Sequence, residues 1–194
     1  MLQKNTPKET YKYNMEILSA YLKILNQKRS YLGWLRLLIV IAILFLIYHL
    51  FFNSSLLTWL LVAAGIATFL YVISIDTDNS EKIGGLERLL KINIDELAVI
   101  NGNYYNREDG IAFLPAEHPY AADIDLFGRA SIYQYINRCT SEQSKKLLAS
   151  LLLHSSEKDT VNERQQAARE LSLHTEWRQQ LQSSGMGNPL TVLT

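Results

Sequence analysis

Asp123 and Asp125 are the nearest thing in this sequence to a paired-carboxylate site. Two residues apart in an extended segment, they point to one side, as a general acid and base or a pair of metal ligands would need. Neither has a His or a third carboxylate near it in sequence, so turn and cap duty is the better assignment. His118, His154 and His174 are too far apart for a metal motif, and His49 lies in an apolar run where a neutral interfacial side chain is expected. Cys139 is the single cysteine. It cannot form an intramolecular disulfide, has no Cys/His spacing that suggests zinc, and reads as a small buried side chain on a helix in a reducing compartment. Arg129, Arg138 and Arg164 have the chemistry to hold phosphate, but they sit in an acidic stretch and are expected to form ion pairs within it. No G-x-x-x-x-G-K-S/T loop occurs, so these residues supply no phosphate cradle. No catalytic, cofactor-binding or metal-binding residue is expected, and no enzyme activity or small-molecule substrate.

The elements that carry these residues begin with charge. Residues 1–36 hold seven Lys/Arg against two Glu, whereas residues 76–194 hold twelve basic against seventeen acidic residues. A domain that grips nucleic acid needs a basic surplus, which the long C-terminal part lacks. Between them, residues 37–75 contain no Asp, Glu, Lys or Arg. As one helix that run would far exceed a hydrocarbon core of about 30 Å. Two spans use it: residues 34–52 and 56–75, separated by Asn53-Ser54-Ser55. A signal peptide would be shorter, nearer the start and not followed at once by a second span. Lys23, Lys28, Arg29 and Arg36 flank the first span and place the N-terminus in the cytoplasm by the positive-inside rule. A hairpin returns the chain to the same side, so the expected protein is a multi-pass protein of the cell's inner or plasma membrane with both termini cytoplasmic.

Two amphipathic arms flank the hairpin. Tyr11, Met15, Leu18, Leu22, Leu25 and Leu32 recur at steps of four and three, interrupted at Arg29. Ile83, Leu86, Leu90, Asn93, Leu97, Ile100 and Tyr104 do the same with one polar member. Equal lengths on one side of a membrane predict an antiparallel coiled-coil-like pair, with oligomeric pairing as the alternative. Gly84-Gly85 weakens helix locally, so the second arm is expected to begin at Leu86.

Residues 107–119 read as a linker, because NGNYYNREDG and the two prolines Pro115 and Pro119 break periodicity. Beyond it a small helical platform is expected. Ser131 caps a helix with Ile132, Tyr135 and Ile136 on its apolar face. Thr140 or Ser141 caps a second, whose buried stripe is Leu147, Leu148, Leu151 and Leu152. A third runs from Val161 to about Gln182 through Ala167, Ala168, Leu171 and Leu181, and SSGMGNP ends it. The fold class is all-α, organised as a cytoplasmic amphipathic helix (1–33), a transmembrane hairpin (34–75), a helical arm (80–106), the linker, the platform (120–184) and a tail (185–194).

The wording of the platform is specific. HPYAADIDLFGRASIYQYINRCTSEQSKKLLASLL and ERQQAARELS resemble the start of the helical core, or lever, domain of the MutS mismatch-repair family, with Asp125, Phe127, Gly128, Ser131, Asn137, Arg138, Arg164, Gln165, Glu170 and Leu171 as the motif residues. A preceding pair of spans is similar to the membrane-associated MutS-related branch. Arg129-Ala130 departs from the pattern, since the family has a glycine next to the serine. The resemblance covers residues 80–182 and implies an N-terminal membrane anchor and lever, whose ATP, Mg and DNA chemistry belongs to an ATPase region not matched before Thr194. It also implies a homodimer for the complete protein and DNA contact only through regions outside this chain. A different class of function is a small membrane adaptor, with a coiled-coil stalk and a helical head that binds protein.

Overall fold

The computed structural model describes residues 6–52 and 56–187. The expected turn at 53–55 and most of the expected tail, 188–194, lie outside the described residues. All regular structure among the described residues is helical: α1 (Pro7–Phe52), α2 (Leu56–Ile100), α3 (Ile132–Ile136), α4 (Glu142–Leu153), α5 (Lys158–Ser172) and α6 (Thr175–Gly187), with one 3-10 turn at Ile111–Phe113. The chain divides into two compact units, residues 16–87 and residues 1–15 with 88–194.

In residues 16–87 the two long helices pack antiparallel. The seam contains Leu22, Leu32, Val62, Val72 and Ile83, all buried. Asn79 Nδ2 donates to the Leu25 carbonyl at 3.2 Å, and Arg36 pairs with Asp76 at 3.0 Å. Gly65 permits close approach of the two helices, since a Cβ there would sit 2.9 Å from Cγ1 of Ile43. Away from the seam the surface is apolar: Leu38, Leu44, Phe45, Trp59, Leu60 and Leu70 are exposed. Each long helix contains a window of mean hydropathy 2.3 and is long and apolar enough to cross a membrane. Gly84-Gly85 does not delay the second arm. Ile83 beside it is buried, and packing outweighs the roughly 1 kcal/mol that each glycine costs a helix. α1 runs without a break from the first arm into the first apolar stretch.

The other unit holds the start of α1, the end of α2 and everything after it. Thr6 and Glu9 form a reciprocal cap at the start of α1: Thr6 Oγ1 accepts from Glu9 N at 3.3 Å, and Glu9 Oε2 accepts from Thr6 N at 2.8 Å. These bonds hold the Glu9 carboxyl below its ordinary value. Lys8 Nζ reaches Asn101 Oδ1 at 3.0 Å, so the arm ends meet. α2 stops at Ile100, six residues before the expected end of the arm, where Gly102 takes a φ of 79°. Along the second seam Ile100 is exposed, and Ile92 and Val99 are buried in addition to Asn93.

The platform core is Ala121, Leu126, Phe127, Tyr133 and Ala149. Phe113 and Leu114 pack on it, so residues 107–119 are part of the platform rather than a linker. Periodicity fails there because the segment crosses the core as turns, and its two aromatic and aliphatic anchors are adjacent. Ser131 caps α3, as expected, by accepting from Gln134 N. The buried face of α3 is Tyr133 and Gln134, however, and Ile132, Tyr135 and Ile136 are exposed. A helix of five residues is too short for its own stripe to set its orientation; the turn before it does. Ser141 caps α4 in a capping box with Ser144. There Ala149, Leu148 and Leu152 face the core, while Leu147 and Leu151 are exposed. The expected third helix is two, because the chain bends at Leu173-His174 and α6 then continues through Ser183-Ser184-Gly185 to Gly187. Among the residues of α5 none is buried. Cys139 is half-buried and lies between α3 and α4, not on a helix.

Candidate functional site

The most concentrated polar chemistry lies where the platform meets the end of α2. Asn93 falls on the buried side of α2, inside an otherwise apolar seam, with no exposed surface. It receives a hydrogen bond from Gln179 Nε2 at 2.9 Å and donates to Gln179 Oε1 at 3.3 Å. Its amide also donates to the Leu89 carbonyl at 2.8 Å. One turn further along α2, the two carboxylate oxygens of Glu96 accept from Nε and Nη2, one edge of the Arg138 guanidinium. That geometry is bidentate and fixes orientation as well as distance. Arg138 Nη1 also donates to the Tyr135 carbonyl at 2.7 Å.

A second layer holds the loop after α2. Gln134 Nε2 donates to the Arg107 carbonyl at 2.6 Å and to the Tyr105 carbonyl at 3.2 Å, while its Oε1 accepts from Ala130 N at 2.8 Å. Arg107 donates to the Asn137 carbonyl. Burial, with Arg138 close by, pushes the Arg107 guanidinium below its ordinary value. Lys145 on α4 pairs with Glu108 and Glu142, each at 2.7 Å, and these two bonds push its ammonium upward. Tyr133 has no exposed surface, and burial first, then Glu108, raises its phenol to about 12.

The turn before α3 is built from backbone more than side chains. Gly128 takes φ 97° and donates its N–H to the Asp109 carbonyl at 2.9 Å. Asp125 at φ 48° and Ala130 at φ 66° both occupy the left-handed region. The Asp125 carbonyl accepts from Ile132 N at 3.1 Å, so this carboxylate belongs to a turn residue. Ala130 keeps a left-handed conformation that glycine adopts without cost. Gly110, at φ 68°, lies under the Tyr133 ring; a Cβ there would come 2.5 Å from Cδ1.

The motif residues therefore separate into two groups. Phe127, Gly128, Ser131, Asn137 and Arg138 are brought together around α3, with Asp125 at its entry. Asn137 is buried at the end of α3, and its side chain accepts from Cys139 N at 2.9 Å. Arg164, Gln165, Glu170 and Leu171 are all exposed on α5, where Arg164 donates to Ser156 Oγ at 2.9 Å. Of the three arginines expected in ion pairs, Arg138 makes one; Arg129 lies over the Tyr105 ring at 5.6 Å. His118 is a staple: its Nδ1 accepts from Ala121 N at 3.2 Å, and Nε2 lies 3.0 Å from the Leu153 carbonyl. Glu96, Arg107, Gln134 and Gln179 were not legible as a set. The one signal was Asn93, a polar residue at a seam position that an apolar one should fill.

Among the described residues no group of three His, Cys, Asp or Glu gathers to hold a metal. Gly128 donates its N–H to the Asp109 carbonyl, and Ser131 caps the first turn of α3. The arrangement holds α6, α3 and the loop after α2 to one stretch of helix. No protein-family model matches the chain, and neither does any curated protein or solved structure.

Proposed function

We propose that this chain is the membrane anchor and lever segment of a MutS-like, mismatch-repair-related ATPase, with both arms and the platform on the cytoplasmic side. The observation that carries the reading is the double attachment of the platform to α2, through Asn93–Gln179 and Glu96–Arg138, on a helix that is continuous from Leu56 to Ile100. A lever needs a stiff element and a non-slipping joint. The continuous helix supplies the first and the paired polar contacts the second, since a buried amide pair and a bidentate ion pair each tolerate one register. The residue pattern from Asp125 to Arg138, with Ala130 holding a glycine-type turn, supports the family assignment.

In this reading the nucleotide chemistry belongs to a P-loop region elsewhere in the complete protein. The reading frame beyond Thr194 tests it. Continuation into further apolar spans and a G-x-x-x-x-G-K-S/T loop is the expected result, and a stop with neither removes the lever from consideration. A membrane adaptor with a helical protein-binding head is the second reading, and the outward-facing apolar residues of α3, α4 and α6 favour it.

A further inference from the structure

α6 is packed inside out. Its buried residues are the polar Gln179 and Ser183, while Trp177 is 52% and Leu181 60% exposed. Leu173, at the bend before α6, is 72% exposed as well. The cause is the Asn93–Gln179 pair, which commits the polar side of the helix to α2. A helix that spends its polar face on the interior leaves its apolar face for something else, and exposed tryptophan with leucine at helical spacing is the composition of a binding anchor.

This stripe also borders a concavity. Leu171, Trp177 and Leu181 line a groove of about 750 Å³ that includes Ile92, Cys139 and Tyr11. A second groove of about 450 Å³ shares Tyr11, Thr175 and Arg178 with it. The groove has two arginines. Arg138 is neutralised by Glu96, whereas Arg178 makes only a side-chain hydrogen bond to Thr175 Oγ1 at 3.2 Å and has no carboxylate partner among the described residues. A concave apolar trough with one unspent cation at its edge fits a convex, apolar rod that carries negative charge. It does not fit a flat bilayer.

We propose that this groove binds an amphipathic helix of a separate protein, whose apolar residues recur at three- and four-residue steps and whose flank carries an Asp or Glu that meets Arg178. The inference does not rest on the MutS-like reading, and the joint residues Glu96, Arg138 and Gln179 form part of the floor of the same groove.

The test uses the full chain in its native membrane, with a photoreactive benzoylphenylalanine placed in turn at Trp177, Leu181 and, as an outward control, Gln166. Adducts are mapped to the residue by mass spectrometry. The expected result is that positions 177 and 181, but not 166, join to one segment of a different protein with helical apolar spacing and an acidic flank. Arg178→Glu should lower that yield about tenfold, and changing the mapped acidic residue to Arg should restore it. Because Arg178 is exposed, its reversal leaves the fold intact, and an unchanged helical circular-dichroism spectrum verifies that. Adducts only to lipid, only to a second copy of this chain, or no more abundant at 177 and 181 than at 166 overturn the proposal. So does a mapped segment whose capture ignores Arg178→Glu.

Discussion

Asn93 and Gln179, 86 residues apart in sequence, exchange amide hydrogen bonds at 2.9 and 3.3 Å in the interior. Removing one partner strands the other. Asn93→Ala or Gln179→Ala should cost about 1–3 kcal/mol, the penalty of an unsatisfied buried amide. Replacing both with alanine should cost less than the sum of the two single changes. Denaturant titration of the full chain in detergent, read as a double-mutant cycle, measures the coupling; strict additivity would show that the pair does not hold α6.

Ala130 at φ 66° makes a second prediction. Ala130→Gly relieves a left-handed alanine and should stabilise the platform by about 0.5–1 kcal/mol after glycine's entropy cost. Gly110→Ala should do the opposite and more strongly, because the new Cβ meets the Tyr133 ring as well as a positive φ. Thermal melting of the two variants beside the parent checks both signs.

The Tyr133 phenol oxygen is buried and has no hydrogen-bond partner among the described residues. Its phenol is raised to about 12 from the ordinary 10. A raised folded-state value means that stability is fully present below pH 10 and declines as pH rises from about 10 to 12, where the unfolded chain ionises first. Tyr133→Phe should remove this group's contribution to that decline and leave stability at pH 7 equal or higher. Stability measured against pH for both proteins tests it; an unchanged alkaline slope in the variant would contradict the assignment.

The hairpin and the seam of the first arm were legible because apolar spacing on a long helix is a strong and local signal: Leu22 and Leu32 are buried where the steps of four and three place them, and Arg29 is exposed where they break. The caps at Ser131 and Ser141 were legible for the same reason, since a cap is decided within three residues. The platform's faces were not. Tyr133 rather than Tyr135 is buried because a left-handed turn at Asp125–Ala130 sets the rotation of α3, and such a turn has no periodic signature. α6 defied its own pattern: Gln179 answers Asn93, a long-range pairing that outweighs the apolar stripe. The segment 107–119 looked like a linker because its anchors, Phe113 and Leu114, are two residues among turn formers.

The register of the arms follows from Lys8 meeting Asn101 and Asn79 meeting Leu25. Cysteines at 8 and 101, or at 25 and 79, in a Cys139→Ser background should join through a short bismaleimide within one chain, while 8 with 79 and 25 with 101 should not. Leu18→Asp, on the half-buried seam, should cost several kcal/mol, about 3, and Lys12→Asp, which is exposed, almost nothing. Links found only between chains would make the arms an oligomerisation coil.

The acidic balance of residues 76–194 predicts that this chain gives no strong, salt-sensitive DNA binding. Titration of labelled duplex DNA at physiological salt measures it. Tight binding that weakens steeply with salt would mean that Arg129, Arg138 and Arg164 act on phosphate.

The proposed hairpin crosses the membrane twice and leaves both arms in the cytoplasm. Single cysteines at Leu56, the exposed first residue of α2, and at Asn101, just beyond its end, test this in a Cys139→Ser background. A membrane-impermeant maleimide is added to intact cells and, separately, to lysed cells. The predicted result is labelling of Leu56→Cys in both preparations and of Asn101→Cys only after lysis. Labelling of Asn101→Cys in intact cells would contradict it.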